Sequence, residues 1–299
     1  MDTPTRETPI RVVVQIRSTI EKDPLSAWDK AKELFFAALY SGNLATAQAV
    51  PKALHRAALP SRPSRAWAAY FRAILASDQH RFDAAEQYAL KALRLADAAE
   101  LRGRSCNELG ILYDHLGRWD DAIAFYRAGL AAFEQIGDRV YIAKLAKNLG
   151  TALVRAFEAG ALHLESLTEA ESLERRAIAI IETLGIPPLE AATWNELGTI
   201  HKAQSCWAEA AACYERFRAF AAAEGDRLGE GQGWNNLGEV LCAQGLFADA
   251  EAALHRARHL VAGNAWETSD VQVNLAHTHL AQGDQKRAEA AADVALDQV

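Results

Sequence analysis

The chain has 299 residues, of which 50% are hydrophobic and 24% charged, with a formal net charge of −7 and a pI near 5.8. A surface that binds nucleic-acid phosphates usually carries a basic excess, so nucleic acid is not expected as a partner. No apolar stretch is long enough to cross a bilayer and the polar N-terminus lacks a signal-peptide core, so we expect a cytoplasmic protein without a membrane partner.

The chain begins with an N-terminal segment, residues 1–27, for which a capping role is one interpretation. Within it, residues 11–16 (RVVVQI) fit either a short strand or the first turns of a helix. Elsewhere alanine is very frequent and β-branched runs are few, so helix is the expected state.

One short phrase returns through the rest of the chain. It reads CNELG at 106–110, KNLG at 147–150, WNELG at 194–198, WNNLG at 234–238 and VNLA at 273–276. Its final small residues are spaced by 40, 48, 40 and 38 residues. A second series of glycines steps by 48, 40 and 38 residues: Gly137, Gly185, Gly225 and Gly263. Two landmarks with one rhythm predict an array of repeats, each of which contacts only its neighbours.

Each repeat has the pattern of two amphipathic helices. In the clearest example the first helix is expected at 103–116, and the second ends near Gly137, which suits a left-handed C-cap. Glycine inside a first helix, as at Gly110, costs about 1 kcal/mol relative to alanine, so its return predicts a close approach of the neighbouring helix. Alanines have the same expected role on the second helices: Ala122, Ala210, Ala250 and Ala288.

The residue order W…LG…Y…G.W..A…Y…L resembles the tetratricopeptide repeat, most clearly at Trp194, Gly198, Trp207, Ala210 and Tyr214. The resemblance implies an all-α fold, a right-handed superhelical α-solenoid of about seven helix-turn-helix repeats. The repeats are expected near residues 28–63, 64–102, 103–142, 143–190, 191–230, 231–268 and 269–299. Their spacing is similar to that of the longer repeats in kinesin light chains, bacterial STAND regulators and the arrays beside CHAT proteases.

The fourth repeat departs from the pattern by an insertion of eight residues around 157–166 (FEAGALHLES). Ser166 and Glu169 are expected to form a capping box for the helix that follows. Two interpretations stay open, because the insertion fits either slack in a loop or a local hook on a binding surface.

The stripe of the first helices opposite the packing stripe is the expected binding surface. Asparagine occurs on it in five successive repeats, although asparagine is a mediocre helix former. A carboxamide offers one acceptor and two donors, so it can bind both halves of a peptide bond; alternatively, the asparagines bind between adjacent repeats and hold their pitch. The predicted peptide- or partner-binding residues are Arg104, Asn107, Lys144, Lys147, Asn148, Thr151, Arg155, Asn195, Glu196, Thr199, Lys202, Asn235, Asn236, Glu239 and Asn274.

Charge on this stripe changes along the chain. Basic residues come first: Arg104, Lys144, Lys147 and Arg155. Acidic residues follow: Glu196 and Glu239. A ligand with an acidic stretch at one end would suit this arrangement, whereas the two-carboxylate clamp of chaperone-binding relatives is not reproduced.

Neither a catalytic nor a metal-binding pattern is found in the sequence. His277 and His279 point in different directions on a helix, and His163 has no nearby cysteine or aspartate. Phosphate loops, nucleophile elbows and zinc-helix motifs are absent, and the four cysteines lack metal-type spacing. We therefore expect no enzymatic activity, no cofactor and no metal.

Three functions fit these observations. The first is a scaffold or adaptor that binds a peptide or partner protein in the groove of the array. The second is a sensor or regulatory arm of a larger signalling or protease system of the STAND or CHAT type. The third is a self-assembling scaffold, because the last helix has no capping helix after it and is expected to be open to docking or oligomerisation.

Overall fold

The computed structural model describes residues 14, 16, 18, 24–56, 62–185 and 187–296. Fourteen complete α-helices lie within these residues, and this part of the chain contains no strand. Val14 and Ile16 are helical, which favours the helical interpretation of residues 11–16, and the other residues of that stretch lie outside the described ones. None of the helices described is long and apolar enough to cross a membrane.

The helices follow one another as seven antiparallel pairs, which we number as repeats 1 to 7. The first helices are α1 Pro24–Tyr40, α3 Arg62–Asp78, α5 Ala99–His115, α7 Arg139–Glu158, α9 Pro187–Ala203, α11 Arg227–Ala243 and α13 Ala265–Ala281. The second helices are α2 Leu44–Arg56, α4 Phe82–Leu95, α6 Trp119–Ile136, α8 Glu165–Leu184, α10 Trp207–Glu224, α12 Phe247–Leu260 and α14 Gln285–Leu296.

Helix α5 begins one turn earlier than the sequence predicts. The expected start was residue 103, whereas the helix starts at Ala99. The extra turn brings Leu101 into the core, where it is buried, so packing extends the helix beyond the repeated phrase. The predicted C-cap is confirmed, because Gly137 follows α6 with φ 71° and its N–H donates to Glu134 and Phe133 carbonyls.

The chain divides into two compact units, residues 1–145 and 146–299. In the first, buried aromatic side chains form much of the core, and the rings of Phe35 and Phe71 stack with centroids 4.2 Å apart. In the second, smaller apolar clusters join neighbouring repeats, as where Leu254 and Val261 of repeat 6 pack with Val271 and Leu275 of repeat 7. This is the nearest-neighbour packing expected of a repeat array.

A glycine of each typical first helix lies directly under a large side chain of the second helix. A Cβ atom on Gly198 would lie 2.6 Å from Cε1 of Tyr214, and one on Gly238 would lie 2.6 Å from Cγ of Leu254. Such distances are far below van der Waals contact, so only glycine allows these helices to approach so closely. The close approach predicted from the repeated glycine is confirmed.

The insertion in repeat 4 lengthens helices as well as the loop between them. Helix α7 has 20 residues where α5 has 17, and α8 has 20 where α6 has 18. The predicted capping box is wrong. Helix α8 starts at Glu165, so Ser166 lies in its first turn, and the Ser166 hydroxyl donates instead to the His163 carbonyl at 2.7 Å.

Replacing Gly198 by leucine should lower the free energy of unfolding by about 1–3 kcal/mol, because the new side chain overlaps the buried Tyr214 ring. Urea denaturation followed by circular dichroism measures the change. Ala222→Leu, on the exposed face of α10, is the matched control and should change stability little. Equal stability of the two variants would show that Tyr214 moves aside without cost.

Candidate functional site: the first-helix face

The predicted binding residues lie on five first helices, α5, α7, α9, α11 and α13. Most are half-buried, and Lys144 and Arg155 are exposed. In each of the two compact units we call the surface of the first helices that carries such residues the first-helix face, and each unit is described by itself.

Two hydrogen bonds join asparagines of successive repeats in residues 146–299. Asn236 Nδ2 of repeat 6 donates to Asn195 Oδ1 of repeat 5 at 2.9 Å. Asn274 Nδ2 of repeat 7 donates to Asn235 Oδ1 of repeat 6 at 3.0 Å. In both cases the second residue before the closing small residue of one repeat bonds to the third residue before it in the preceding repeat. Bonding between adjacent repeats was one of the two interpretations of the asparagines in the sequence. At these four positions the structure contains such bonds.

The same register holds an ion pair between repeats 4 and 5. Lys147 Nζ lies 3.6 Å from Glu196 Oε1, and the two side chains are 19% and 26% exposed. Three consecutive interfaces therefore carry one polar contact at equivalent positions. We call this series the polar ladder: Lys147–Glu196, Asn195–Asn236 and Asn235–Asn274.

The members of the polar ladder differ in their exposure to solvent. Asn235 is only 5% exposed and also donates to Asp270 Oδ2 at 2.7 Å, so its carboxamide is held within the interface. Asn195 and Asn236 are half-buried. Their shared bond uses one donor of Asn236 and one lone pair of Asn195, so the pair retains both donor and acceptor capacity for a ligand.

Other predicted residues in this compact unit are bonded to their own surroundings. The Thr151 hydroxyl donates to the Lys147 carbonyl at 3.1 Å. Lys202 Nζ pairs with Glu239 Oε2 of the next repeat at 2.8 Å, and both side chains are partly exposed. A ligand that engages Lys202 or Glu239 would therefore compete with an existing ion pair.

In residues 1–145 the first-helix face is aromatic around Arg104. The guanidinium of Arg104 lies 4.3 Å from the centre of the Tyr141 ring, and its Nε donates to Glu100 Oε1 at 3.0 Å. A cavity of about 360 Å³ is lined by Lys32, Glu33, Phe36, Tyr40, Arg104 and Tyr141. Sequence reasoning missed the contribution of repeat 1, because its first helix lacks the asparagine-containing phrase.

Glu108, next to the predicted Asn107, has an altered acidity. Burial raises the pKa of its carboxyl to about 7, while the hydrogen bond with Asn107 and the charge of Arg104 lower the pKa. The Glu108 carboxyl is therefore a weaker acid than an exposed glutamate.

Glu174 is a buried carboxyl that sequence reasoning did not single out. It lies on α8, faces Gly150, and is 0% exposed. Neither of its carboxyl oxygens has a hydrogen-bond partner among the described residues. Burial raises its pKa well above the usual range, the charge of Glu196 raises it further, and the charge of Lys147 lowers it. An alignment of the repeats would have revealed Glu174 as unusual. The equivalent positions of the other repeats hold the aromatic or aliphatic residues Tyr126, Tyr214 and Leu254.

The last helix pair has an apolar groove on its exposed side. It has a volume of about 470 Å³ and lies between α13 and α14, with Val273, Leu280 and Leu296 among its lining residues. Docking or oligomerisation through this last pair was predicted from the sequence and stays a prediction.

Comparison with known families identifies one of the repeats. The tetratricopeptide-repeat family model matches residues 105–140, which span most of α5 and α6. The same helix pairing continues over the other described repeats. This match covers one helix pair, and the all-α solenoid built from the described pairs is tetratricopeptide-like. No curated protein sequence matches it significantly.

Solved structures share the fold of this chain at low sequence identity. A STAND protein with a tetratricopeptide-repeat sensor from Pyrococcus horikoshii has a TM-score of 0.70 at 13% identity, over 97% of this chain and 46% of that chain. A Rap protein in complex with competence and sporulation factor has a TM-score of 0.63 at 13% identity, over 97% and 87%. Repeats of a kinesin light chain protein from Podospora anserina have a TM-score of 0.53 at 18% identity, over 66% and 94%. These similarities show an all-α tetratricopeptide solenoid fold.

A double-mutant cycle on Asn195 and Asn236 should give a coupling free energy of about 0.5–1.5 kcal/mol, because each alanine removes the same hydrogen bond. The free energies of unfolding of the two single variants and the double variant give the value. The Asn195 and Asn274 pair, which are two repeats apart, is the control and should be additive. If the changes in the free energy of unfolding were additive in both pairs, the hydrogen bond between Asn195 and Asn236 would not contribute to stability, which would contradict a structural role for the polar ladder.

Glu174→Leu should raise the free energy of unfolding by about 1–3 kcal/mol at pH 8, because leucine occupies the equivalent position in repeat 6 and needs no hydrogen bond. The pKa of Glu174 is higher in the folded state than in the unfolded state. Its contribution to the wild-type free energy of unfolding is therefore complete below the unfolded-state pKa and is lost as the pH rises through the folded-state pKa. The advantage of the variant should therefore be smaller at pH 4 than at pH 8.

Urea denaturation at both pH values tests this expectation. Glu182→Leu, at an exposed position of the same helix, serves as the control. An advantage of Glu174→Leu that is equal at the two pH values would contradict the assigned protonation of Glu174.

Proposed function

We propose that this protein binds a peptide segment of a partner protein along the first-helix face of residues 146–299. Its tetratricopeptide fold is that of a protein-interaction scaffold, and the peptide mode is the finer step that we add. The contacts would come from residues of this unit that were predicted from the sequence, led by Asn195 and Asn236 with the exposed Arg155. Catalysis has no part in this proposal.

The observation that supports the peptide mode best is the bonded pair Asn195–Asn236. Its register fixes the two carboxamides relative to each other before a ligand arrives, so less side-chain entropy is lost on binding. The remaining donors and acceptors of the pair match the alternating C=O and N–H groups of an extended peptide. This chemistry recognises backbone, and neighbouring charged side chains would then select the sequence.

The comparison with the Rap protein adds support by analogy. That protein forms a complex with competence and sporulation factor, and it shares the fold of this chain over nearly its full length. Similarity of fold does not transfer a ligand, so the support from the Rap protein concerns the mode of binding and not the partner.

A sensor or regulatory arm is the second candidate function. It is favoured by the similarity to the STAND protein, in which tetratricopeptide repeats form a sensor. This chain spans less than half of that protein, so an effector would be supplied by another domain or chain. Binding at the first-helix face would then be the input of the sensor.

An affinity capture from a lysate of the source cell, analysed by mass spectrometry, tests the peptide-binding proposal. The wild-type chain is compared with the Asn148, Asn195 and Asn236→Ala triple variant, and we expect the partner to be lost from the variant while helicity is retained. The control triple variant replaces Glu182, Glu224 and Arg258, all exposed on second helices, and should retain the partner. A partner retained by the asparagine variant and lost by the control variant would move the interface to the second helices.

A further inference from the structure

The interface between repeats 4 and 5 brings three ionisable side chains together. Glu174 comes from α8, Lys147 from α7 and Glu196 from α9. Lys147 and Glu196 form the ion pair of the polar ladder, and Glu174 interacts electrostatically with both. Two carboxyl groups are therefore under the electrostatic influence of one ammonium group, which is paired with Glu196.

At the position of Glu174, repeats 5 and 6 have side chains that either have a hydrogen-bond partner or need none. In repeat 5 the equivalent residue is Tyr214, whose hydroxyl lies 3.2 Å from the Thr199 hydroxyl and within hydrogen-bonding distance. In repeat 6 the equivalent residue is Leu254, which needs no polar partner. In repeat 4 the side chain ends in two buried oxygens without a hydrogen bond to any described residue. Such a group is costly to retain unless something uses it.

The direction of the Glu174 side chain connects it to the first-helix face. The position that a Cβ of Gly150 would take is only 2.7 Å from Glu174 Oε1, so the carboxyl lies against α7 one turn from Lys147. Lys147 and Glu196 are both partly exposed, so a ligand on this face reaches them while Glu174 stays behind them. The three groups thus form a layer of two accessible side chains over one buried acid.

We propose that Glu196, Lys147 and Glu174 form a binding site for a basic side chain, lysine or arginine, of the bound peptide. The site deepens the proposed function and rests on it. The cation of the ligand pairs with Glu196, and the Lys147 ammonium turns to Glu174. The carboxyl of Glu174 then releases its proton to solvent, so that two ion pairs replace one ion pair and a neutral acid.

The charges around Glu174 explain why binding and proton release are linked. In the free protein burial and the Glu196 charge both favour the protonated acid, and Lys147 is engaged by Glu196. A ligand cation on Glu196 removes part of the opposing negative charge and frees Lys147, and both changes favour the carboxylate. The affinity for a basic ligand should consequently rise with pH, by up to about tenfold per pH unit.

The next interface offers a matched control. Lys202 and Glu239 form an ion pair of the same type at 2.8 Å, with side chains 27% and 42% exposed. The second-helix residues at positions equivalent to Glu174 are there Tyr214 and Leu254, which do not carry a carboxyl. Binding at Glu239 would therefore not be accompanied by release of a proton from a buried acid.

The test selects ligands from a library of random twelve-residue peptides displayed on phage, with the full chain as target. The best peptides are synthesised, and each arginine or lysine is replaced in turn by the neutral residue citrulline or norleucine. Isothermal titration calorimetry in phosphate and in Tris buffer gives the affinity and the number of protons released. The proteins are wild type, E196Q, E174L and the control E239Q.

We expect enrichment of one basic position and proton release with wild-type protein. E196Q should bind the selected peptide about tenfold more weakly and should bind its neutral analogue as wild type does. E174L should bind the peptide without proton release and without the pH dependence, and its fold is retained because leucine is native at the equivalent position of repeat 6. E239Q is compared by its proton release alone, because Glu239 is itself a predicted binding residue, and it should release as many protons per bound peptide as wild type.

Three results would overturn the site. They are selected peptides without a basic position, an affinity for the basic peptide that E196Q leaves unchanged, and equal proton release from E174L and wild type. Each of these leaves peptide binding itself intact. If wild-type protein selects no peptide at all, the proposed function fails, and the site fails with it.

Discussion

The packing of this protein depends on the contact between a glycine of each typical first helix, which has no side chain, and one large side chain of the second helix. Tyr214 packs against the backbone at Gly198, and Leu254 packs against the backbone at Gly238. The cost of glycine inside a helix is offset by burial of a large side chain, which a Cβ atom would prevent. Because the contact recurs in each typical repeat, the orientation of the two helices recurs as well.

The polar ladder is a consequence of this regular packing. Once successive first helices lie in the same orientation, residues at fixed positions before the glycine meet their counterparts in the next repeat. Asn195–Asn236, Asn235–Asn274 and Lys147–Glu196 use the same register with different chemistry. The ladder gives the first-helix face polar groups that are already held in place, which is a requirement for binding a peptide backbone with specificity.

Repeat 4 combines three departures from the other repeats. It carries the insertion around residues 157–166, an ion pair in place of an asparagine pair, and the buried acid Glu174 in place of an aromatic or aliphatic residue. A buried acid lowers the stability of the interface that contains it, and functional sites are often found where local rules of stability are broken. For this reason the most specific part of the proposed binding surface is placed at the interface of repeats 4 and 5.

Much of the fold was predictable because its determinants are local or periodic. The repeated glycines predicted both the close approach at Gly198 and the left-handed C-cap at Gly137, and the recurrence of the phrase predicted the helix pairs. The capping box at Ser166 was wrong because a helix start depends on one residue, and the helix begins just before it. The first turn of α5 was missed because it is held by burial of Leu101, which the repeated phrase does not contain.

The sequence by itself determined the helical repeat, its rhythm and the stripe on which the asparagines lie, because these follow from spacing along one chain. Only the tertiary structure decided which residues of different repeats meet. Asn236 bonds to Asn195 across 41 positions, and the charges of Lys147 and Glu196 act on Glu174. Such partners depend on the distance and angle between packed helices, and a side chain's acidity depends on its burial there, so neither can be obtained from one helix alone.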